Sequence, residues 1–371
     1  MHWGVDAHRL AGQRLGVGRY IEYLVKHWRS MMDAGDQCTL FTREPYDGSG
    51  WEPSPSIRVR SFAPSLPPSV WQHGVLPRFT GDVDVLFCPS YSIPVTYTGK
   101  CVVAIHSMNE VESGTHPWWY KLTYSRLYRF SADRADRIIV PSESTRQDLE
   151  RYYGITSEKV DVVVQGADEA FRPIADDAVK RATRIRFLGE DRPYIVFVGK
   201  LSTRRNIPIL IEAFAIAKRR AKLPHALLLV GPNHVGVPLD DLITRHALTG
   251  HVIQTDGKFA SHMEVPPIYG SADLYVNASS YEGFSMTLVE ALSCGTPVVT
   301  VNRAGLAEIA AEAAEYVEEP TPDALADAIE RVLTDPALSE SLGERGYRRA
   351  AAFRWNVTAR QTLDVLRRVA A

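Results

Sequence analysis

Short β-branched, apolar runs alternate with longer amphipathic stretches over most of this chain, and few architectures accept that pattern. Neighbouring parallel strands must be joined by a crossover of about a dozen residues or more, for which a helix is the usual solution. The alternation therefore predicts repeated βα units around parallel sheets, an α/β fold. Candidate strands lie at 83–88 (VDVLFC), 101–105 (CVVAI), 137–140 (RIIV), 160–164 (VDVVV), 194–198 (YIVFV), 226–230 (ALLLV), 272–276 (ADLYV) and 297–301 (PVVTV), after a short strand at the N-terminus. Each is apolar enough to be buried on both faces. Between strands, 207–218 (IPILIEAFAIAK) and 287–293 place Leu, Ile, Phe and Ala at three- and four-residue intervals, the spacing of an amphipathic helix.

The chain has 371 residues, room for two or three domains at roughly 100 to 200 residues each. The best break falls between Phe171-Arg172-Pro173 and Asp191-Arg192-Pro193, where a charged, helical stretch separates two strand-rich blocks. Two Rossmann-like halves result, 1–175 and 186–350, followed by a segment at 351–371 in which Trp355, Leu363, Val365 and Leu366 stand among arginines as in an amphipathic helix. The 42 Lys plus Arg nearly balance 44 Asp plus Glu, a net charge of −2. No global field draws the protein to nucleic acid, and any anion site is local. Cys38, Cys88, Cys101 and Cys294 lie far apart without C-x-x-C spacing, which argues against a zinc ribbon or a disulfide framework and makes reduced cytosol the default compartment. No apolar run approaches the length of a spanning helix, and the start MHWGVDAHRL lacks a signal-peptide core.

The most informative stretch is 279–297, SSYEGFSMTLVEALSCGTP. A strand ends, a glycine-containing turn follows, a helix begins near Ser285, Gly295 closes it and Pro297 opens the next strand. After Gly283 in the turn, Phe284, Ser285, Met286 and Thr287 would then present backbone N–H groups without helical acceptors, an anion site suited to a diphosphate. Glu282 precedes this helix and Glu290 lies about 1.5 turns inside it. Carboxylates are poor phosphate ligands but good acceptors for hydroxyls, so one could hold a sugar and the other a ribose. The competing reading makes Glu282 a loop cap and Glu290 a solvated helix residue.

A second basic loop, Gly199-Lys200-Leu201-Ser202-Thr203-Arg204-Arg205-Asn206, leaves the strand at 194–198 and enters the amphipathic helix. In open α/β sheets ligands bind at strand carboxyl ends, so Lys200 and Arg205 could pair with diphosphate oxygens without a metal; a solvated loop is the alternative. Gly16 and Gly18, in Leu15-Gly16-Val17-Gly18-Arg19-Tyr20, do not form a dinucleotide fingerprint, because Ile21 stands at the third glycine position. Close backbone approach to a ligand and a simple tight turn both remain open there. His106 directly follows the run 101–105, where it could donate to a substrate, stabilise developing charge or serve structure alone. Asp82-Val83-Asp84 suggests a D-x-D metal motif, yet both aspartates precede a buried strand, where solvated entry residues are expected.

With Glu282 and Glu290 in place, the chain resembles the retaining glycosyltransferases of family four, which have the GT-B fold, over nearly its whole length. The family's E-x(7)-E signature resembles Glu282 to Glu290. Its paired basic residues resemble Lys200 and Arg205, in the reverse order of cations. Gly16-Val17-Gly18-Arg19 is similar to its N-terminal glycine loop, Ala135-Asp136-Arg137 with Pro141-Ser142-Glu143-Ser144 to its A-D-x-x-x-x-x-S segment, and Gln165-Gly166-Ala167-Asp168 to N-G-V-D. Ser107 stands where many members have Asp after the histidine, and Ser285 where glycine is common.

The resemblance implies two Rossmann-like domains facing each other across a cleft, with the final helix crossing back to the first. It implies a nucleoside diphosphate sugar donor of mannose or glucose type held mainly by the second domain, and a glycan or lipid-linked acceptor held by the first. Glu282 would then contact the donor sugar, Glu290 the ribose, Lys200 and Arg205 the departing diphosphate, and the backbone around Gly257, Lys258 and Phe259 the base, with no metal or other cofactor. Alternatives are a sugar-nucleotide epimerase or hydrolase of the same fold, and a non-catalytic binding subunit. Trp118-Trp119-Tyr120-Lys121 and the basic stretch 126–137 would touch a lipid-linked acceptor or the membrane's inner face, or pack as a helix with a solvated side. The expected location is cytoplasmic.

Overall fold

The computed structural model describes the chain except residues 11–15, 47–50, 52, 65, 110, 112–117, 234–235 and 257–263, and of residues 118–122 it describes the backbone. The chain packs into two compact units, Met1–Gly166 together with Arg354–Ala371, and Ala167–Phe353. The segment 167–175 thus packs with the second unit.

Among the described residues of the first unit seven parallel strands, β1 (His2–Asp6), β2 (Gln37–Thr42), β3 (Ile57–Ser61), β4 (Val85–Cys88), β5 (Cys101–Ala104), β6 (Arg137–Val140) and β7 (Val160–Val162), stand in the order β3-β2-β1-β4-β5-β6-β7. In the second unit β8 (Tyr194–Val198), β9 (Ala226–Val230), β10 (Val252–Thr255), β11 (Leu274–Asn277), β12 (Val298–Val301) and β13 (Glu315–Val317) stand in the order β10-β9-β8-β11-β12-β13, again all parallel. These are two doubly wound sheets, and the apolar runs are their interiors: every residue of β4, β5, β9, β11 and β12 is buried. The strands that the apolar pattern does not mark are β2, β3, β10 and β13. Three of them lie at sheet edges, where one flank is solvated and Arg, Gln and Glu interrupt the run.

In each sheet the strand order reverses once, between β1 and β4 and between β8 and β11. Loops leaving the carboxyl ends of those strand pairs diverge and open a crevice for ligands.

The C-terminal region forms two helices, Pro336–Ala350 and Trp355–Ala370. The second belongs to the first unit. Its Trp355 stacks on Tyr23 with centroids 4.8 Å apart and planes 7° from parallel, and Trp28 Nε1 donates to Ala359 O at 2.8 Å. Gly166 permits this docking, since a Cβ there would lie 2.4 Å from Trp355 N. Among the described residues no helix is long and apolar enough to cross a membrane.

Candidate functional site

At the second sheet's reversal the loops after β8 and β11 are tied together by their own polar groups. Asn206 takes a left-handed conformation (φ 53°), which its short polar side chain tolerates, and its Nδ2 donates to Ala278 O at 2.7 Å and to Ser280 Oγ at 3.0 Å. The Ser280 amide returns a hydrogen bond to Arg204 O at 3.1 Å. With the loop pinned at both ends, Arg204 Nη1 lies 3.4 Å and Arg205 Nε 3.5 Å from Glu282 Oε1, which also accepts from Ser279 Oγ at 3.1 Å. Arg204 Nη1 donates further to Tyr281 O at 2.5 Å. Two guanidiniums share one carboxylate, so the cluster carries a net positive charge.

Lys200 is exposed, while Arg204, which the sequence pattern does not single out, joins Arg205 at Glu282. Arg205 lies against Gly199, whose φ is 140°; a Cβ on Gly199 would sit 1.9 Å from Arg205 Nη1. Beyond Glu282, Gly305 N donates to Glu282 O at 3.1 Å, and a Cβ on Gly305 would meet Gly283 O at 2.3 Å. The turn is therefore fixed by backbone-to-backbone contact.

The helix Met286–Ser293 begins where the sequence predicts it. Ser285 is its N-cap, with Oγ accepting from Leu288 N at 3.3 Å, so the serine found in place of a common glycine supplies a cap. The Met286 and Thr287 amides, by position in the first turn, have no acceptor within the helix. Tyr275 Oη donates to Thr287 Oγ1 at 3.0 Å, and Asn277, at the end of β11, reaches Ser285 Oγ at 3.3 Å. Phe284 meets Phe353 edge-on, with centroids 6.0 Å apart. Glu290 is fully buried and accepts from Tyr269 Oη at 3.0 Å, which removes its reading as a solvated helix residue.

The remaining nominated residues belong to the first unit or fall outside the described residues. Gly16 (φ 53°) caps the helix Val17–Trp28, in which Gly18 is buried. Lys258 and Phe259 lie outside the described residues. Asp84 Oδ2 accepts from the His2 amide at 2.7 Å and Asp82 lies 3.8 Å from Arg60, the contacts of strand-entry residues.

His106 has both ring nitrogens engaged: Nε2 donates to Pro89 O at 2.8 Å, and Nδ1 accepts from Gln165 Nε2 at 3.0 Å. Tyr20 and Tyr91 pack edge-on against the ring. Burial pushes this imidazole down to about 4. Below about 6.5 the unfolded chain binds a proton that the folded chain refuses, so stabilisation present above 6.5 is lost as pH falls towards 4, up to ~3 kcal/mol. Burial pushes His73 and His225 down as well, so the His106 share is read by difference. Melting temperature should fall more steeply from pH 6.5 to 4 in the parent than in His106→Gln; equal slopes would refute a neutral, buried His106.

Residues 15–171 match the family described as Glycosyltransferase Family 4, and residues 180–349 match that described as Glycosyl transferases group 1. A D-inositol 3-phosphate glycosyltransferase of Corynebacterium urealyticum is 27% identical over 87% of this chain and 78% of its own length. The enzyme of that name from Kribbella flavida is 31% identical over 63% of this chain and 57% of its own length. An alpha-D-kanosaminyltransferase of Streptomyces kanamyceticus is 26% identical over 58% of this chain and 56% of its own length. Among solved structures, a sucrose-phosphate synthase of Thermosynechococcus elongatus superposes with TM-score 0.80 at 22% identity, covering 99% of this chain and 98% of that one. Anabaena HepE in complex with UDP-glucose superposes with TM-score 0.78 at 17% identity over 98% of both chains. At these identities the likeness of the solved structures is one of fold.

Proposed function

We propose that this chain, which belongs to glycosyltransferase family four and has the GT-B fold, moves a hexosyl group of glucose or mannose type from a nucleoside diphosphate sugar to a hydroxyl of a glycan or glycolipid, with retention of configuration and without a metal ion. The observation that carries the reading is the cationic cluster at the second sheet's reversal, where Arg204 and Arg205 stand beside the turn that opens the helix Met286–Ser293. As the bond from anomeric carbon to phosphate breaks, negative charge grows on the diphosphate. Guanidiniums and first-turn amides already in position stabilise that charge without reorganising, and Lys200 adds a solvated cation at the same loop. Glu282, held at the turn, is assigned to the donor-sugar hydroxyls. Glu290 is assigned to the ribose, and the first unit to the acceptor.

The proposal is tested by incubating the protein with UDP-glucose or GDP-mannose in EDTA, with D-inositol 3-phosphate and alkyl glycosides as acceptors. Nucleoside diphosphate should be released at a rate that added magnesium or manganese does not change. Strict dependence on a divalent ion would contradict the site.

A further inference from the structure

The first sheet's reversal, between β1 and β4, carries a polar pair that none of the roles above uses. Asp6, the last residue of β1, is fully buried. Its Oδ1 accepts from His8 Nδ1 at 2.7 Å and from the His8 amide at 3.4 Å. Its Oδ2 accepts from Gln72 Nε2 at 2.8 Å. Gln72 is locked in turn by Ser92, donating to its carbonyl at 3.0 Å and accepting from its hydroxyl at 3.1 Å. Trp71 flanks the His8 ring at 6.1 Å between centroids, and Arg9 and His73 are the nearby basic groups.

The chemistry of this pair is directional. A carboxylate only accepts, so in a neutral imidazole beside it the proton sits on Nδ1 and the lone pair on Nε2. Among the described residues Nε2 has no hydrogen-bond partner, and the atom is not sealed from solvent. A buried ionised carboxylate is costly unless its oxygens are satisfied, and here both orient a neighbour. The result is a pre-aimed acceptor at the edge of the sheet where a ligand crevice opens, the position that in the second unit is taken by Glu282, Arg204 and Arg205.

We propose that His8 accepts a hydrogen bond from a hydroxyl of the sugar or polyol acceptor, with Asp6 as the positioning residue that fixes its tautomer. The proposal rests on the reading of the first unit as the acceptor domain. It adds a direct contact to that hydroxyl and leaves the donor site unchanged.

His8→Phe removes the acceptor nitrogen. Asp6→Asn is nearly isosteric, but because Gln72 keeps the amide oxygen the new NH2 faces His8 Nδ1, which moves the ring proton to Nε2. Three quantities are measured on the full chain: binding of UDP and GDP, hydrolysis of UDP-glucose and GDP-mannose without acceptor, and transfer to a pool of D-inositol 3-phosphate, octyl glucoside and octyl mannoside. Both variants should bind nucleotide and hydrolyse donor like the parent while transfer falls at least tenfold. Parental transfer in either variant overturns the proposal, whereas a parent that binds neither nucleotide overturns the donor assignment instead. The tautomer is also read without turnover, from imidazole 15N–1H correlations. With the ring neutral, the parent should show a proton on His8 Nδ1 and none on Nε2, reversed in Asp6→Asn. A protonated Nε2 in the neutral ring of the parent overturns the proposal whichever probes are accepted.

Discussion

Arg205→Ala is expected to lower turnover by about 10²- to 10³-fold, the loss typical when one pre-positioned group is removed from a developing anion. The guanidinium lies against the Gly199 backbone and 3.5 Å from Glu282, so its position is set by the protein before any ligand arrives. Loss of this cation should act on the leaving group more than on the resting donor, because the diphosphate gains charge as the bond breaks. The turnover number should therefore fall further than donor affinity. Arg205→Lys keeps a charge at this position, and should retain most of the rate. Arg204 gives a contrast: its Nη1 also holds Tyr281 O, so Arg204→Ala should cost stability as well as rate. Steady-state kinetics with UDP-glucose or GDP-mannose decide the matter, and turnover within threefold of the parent for Arg205→Ala would remove the leaving-group role.

The difference between Arg204 and Lys200 marks where sequence reasoning stops. Both are cations in one loop, and pairing rules give no preference between them. The choice is made by backbone conformation: the unusual φ of Gly199 and the left-handed turn at Asn206 swing Arg204 and Arg205 towards Glu282 and leave Lys200 in solvent. Where local chemistry alone decides, the sequence is readable. The start of the helix at Ser285 follows from a hydroxyl able to cap and from the apolar run behind it. The burial of Glu290 was not legible in this way, since it stands three residues from both Thr287 and Ser293, on the polar face that an amphipathic helix ordinarily turns to solvent. Nor was the pair of Asp6 and His8. Two residues apart at a strand end, they meet only because the chain turns sharply after β1, and Gln72, which holds the other carboxylate oxygen, comes from far along the chain.

Gly199→Ala should reproduce most of the Arg205→Ala defect without touching a charged residue. The added Cβ would stand 1.9 Å from Arg205 Nη1 and 3.1 Å from its Cζ, far inside van der Waals contact. The obstructing atoms are the end of a flexible side chain, so the guanidinium is displaced and the fold survives. At φ 140° the backbone also lies in a region that residues with a Cβ rarely occupy, which costs about 1–3 kcal/mol. The variant should thus melt several degrees lower and turn over at least ~10²-fold more slowly. Gly231→Ala separates the two effects: its Cβ would meet the Gly199 carbonyl oxygen at 2.0 Å, rigid backbone that cannot swing aside, so its melting temperature should fall further. The double variant Gly199→Ala/Arg205→Ala closes the cycle. If the glycine acts by leaving room for the guanidinium, the double variant should be no slower than Arg205→Ala alone, whereas additive losses would mean that Gly199 serves the reaction by another route.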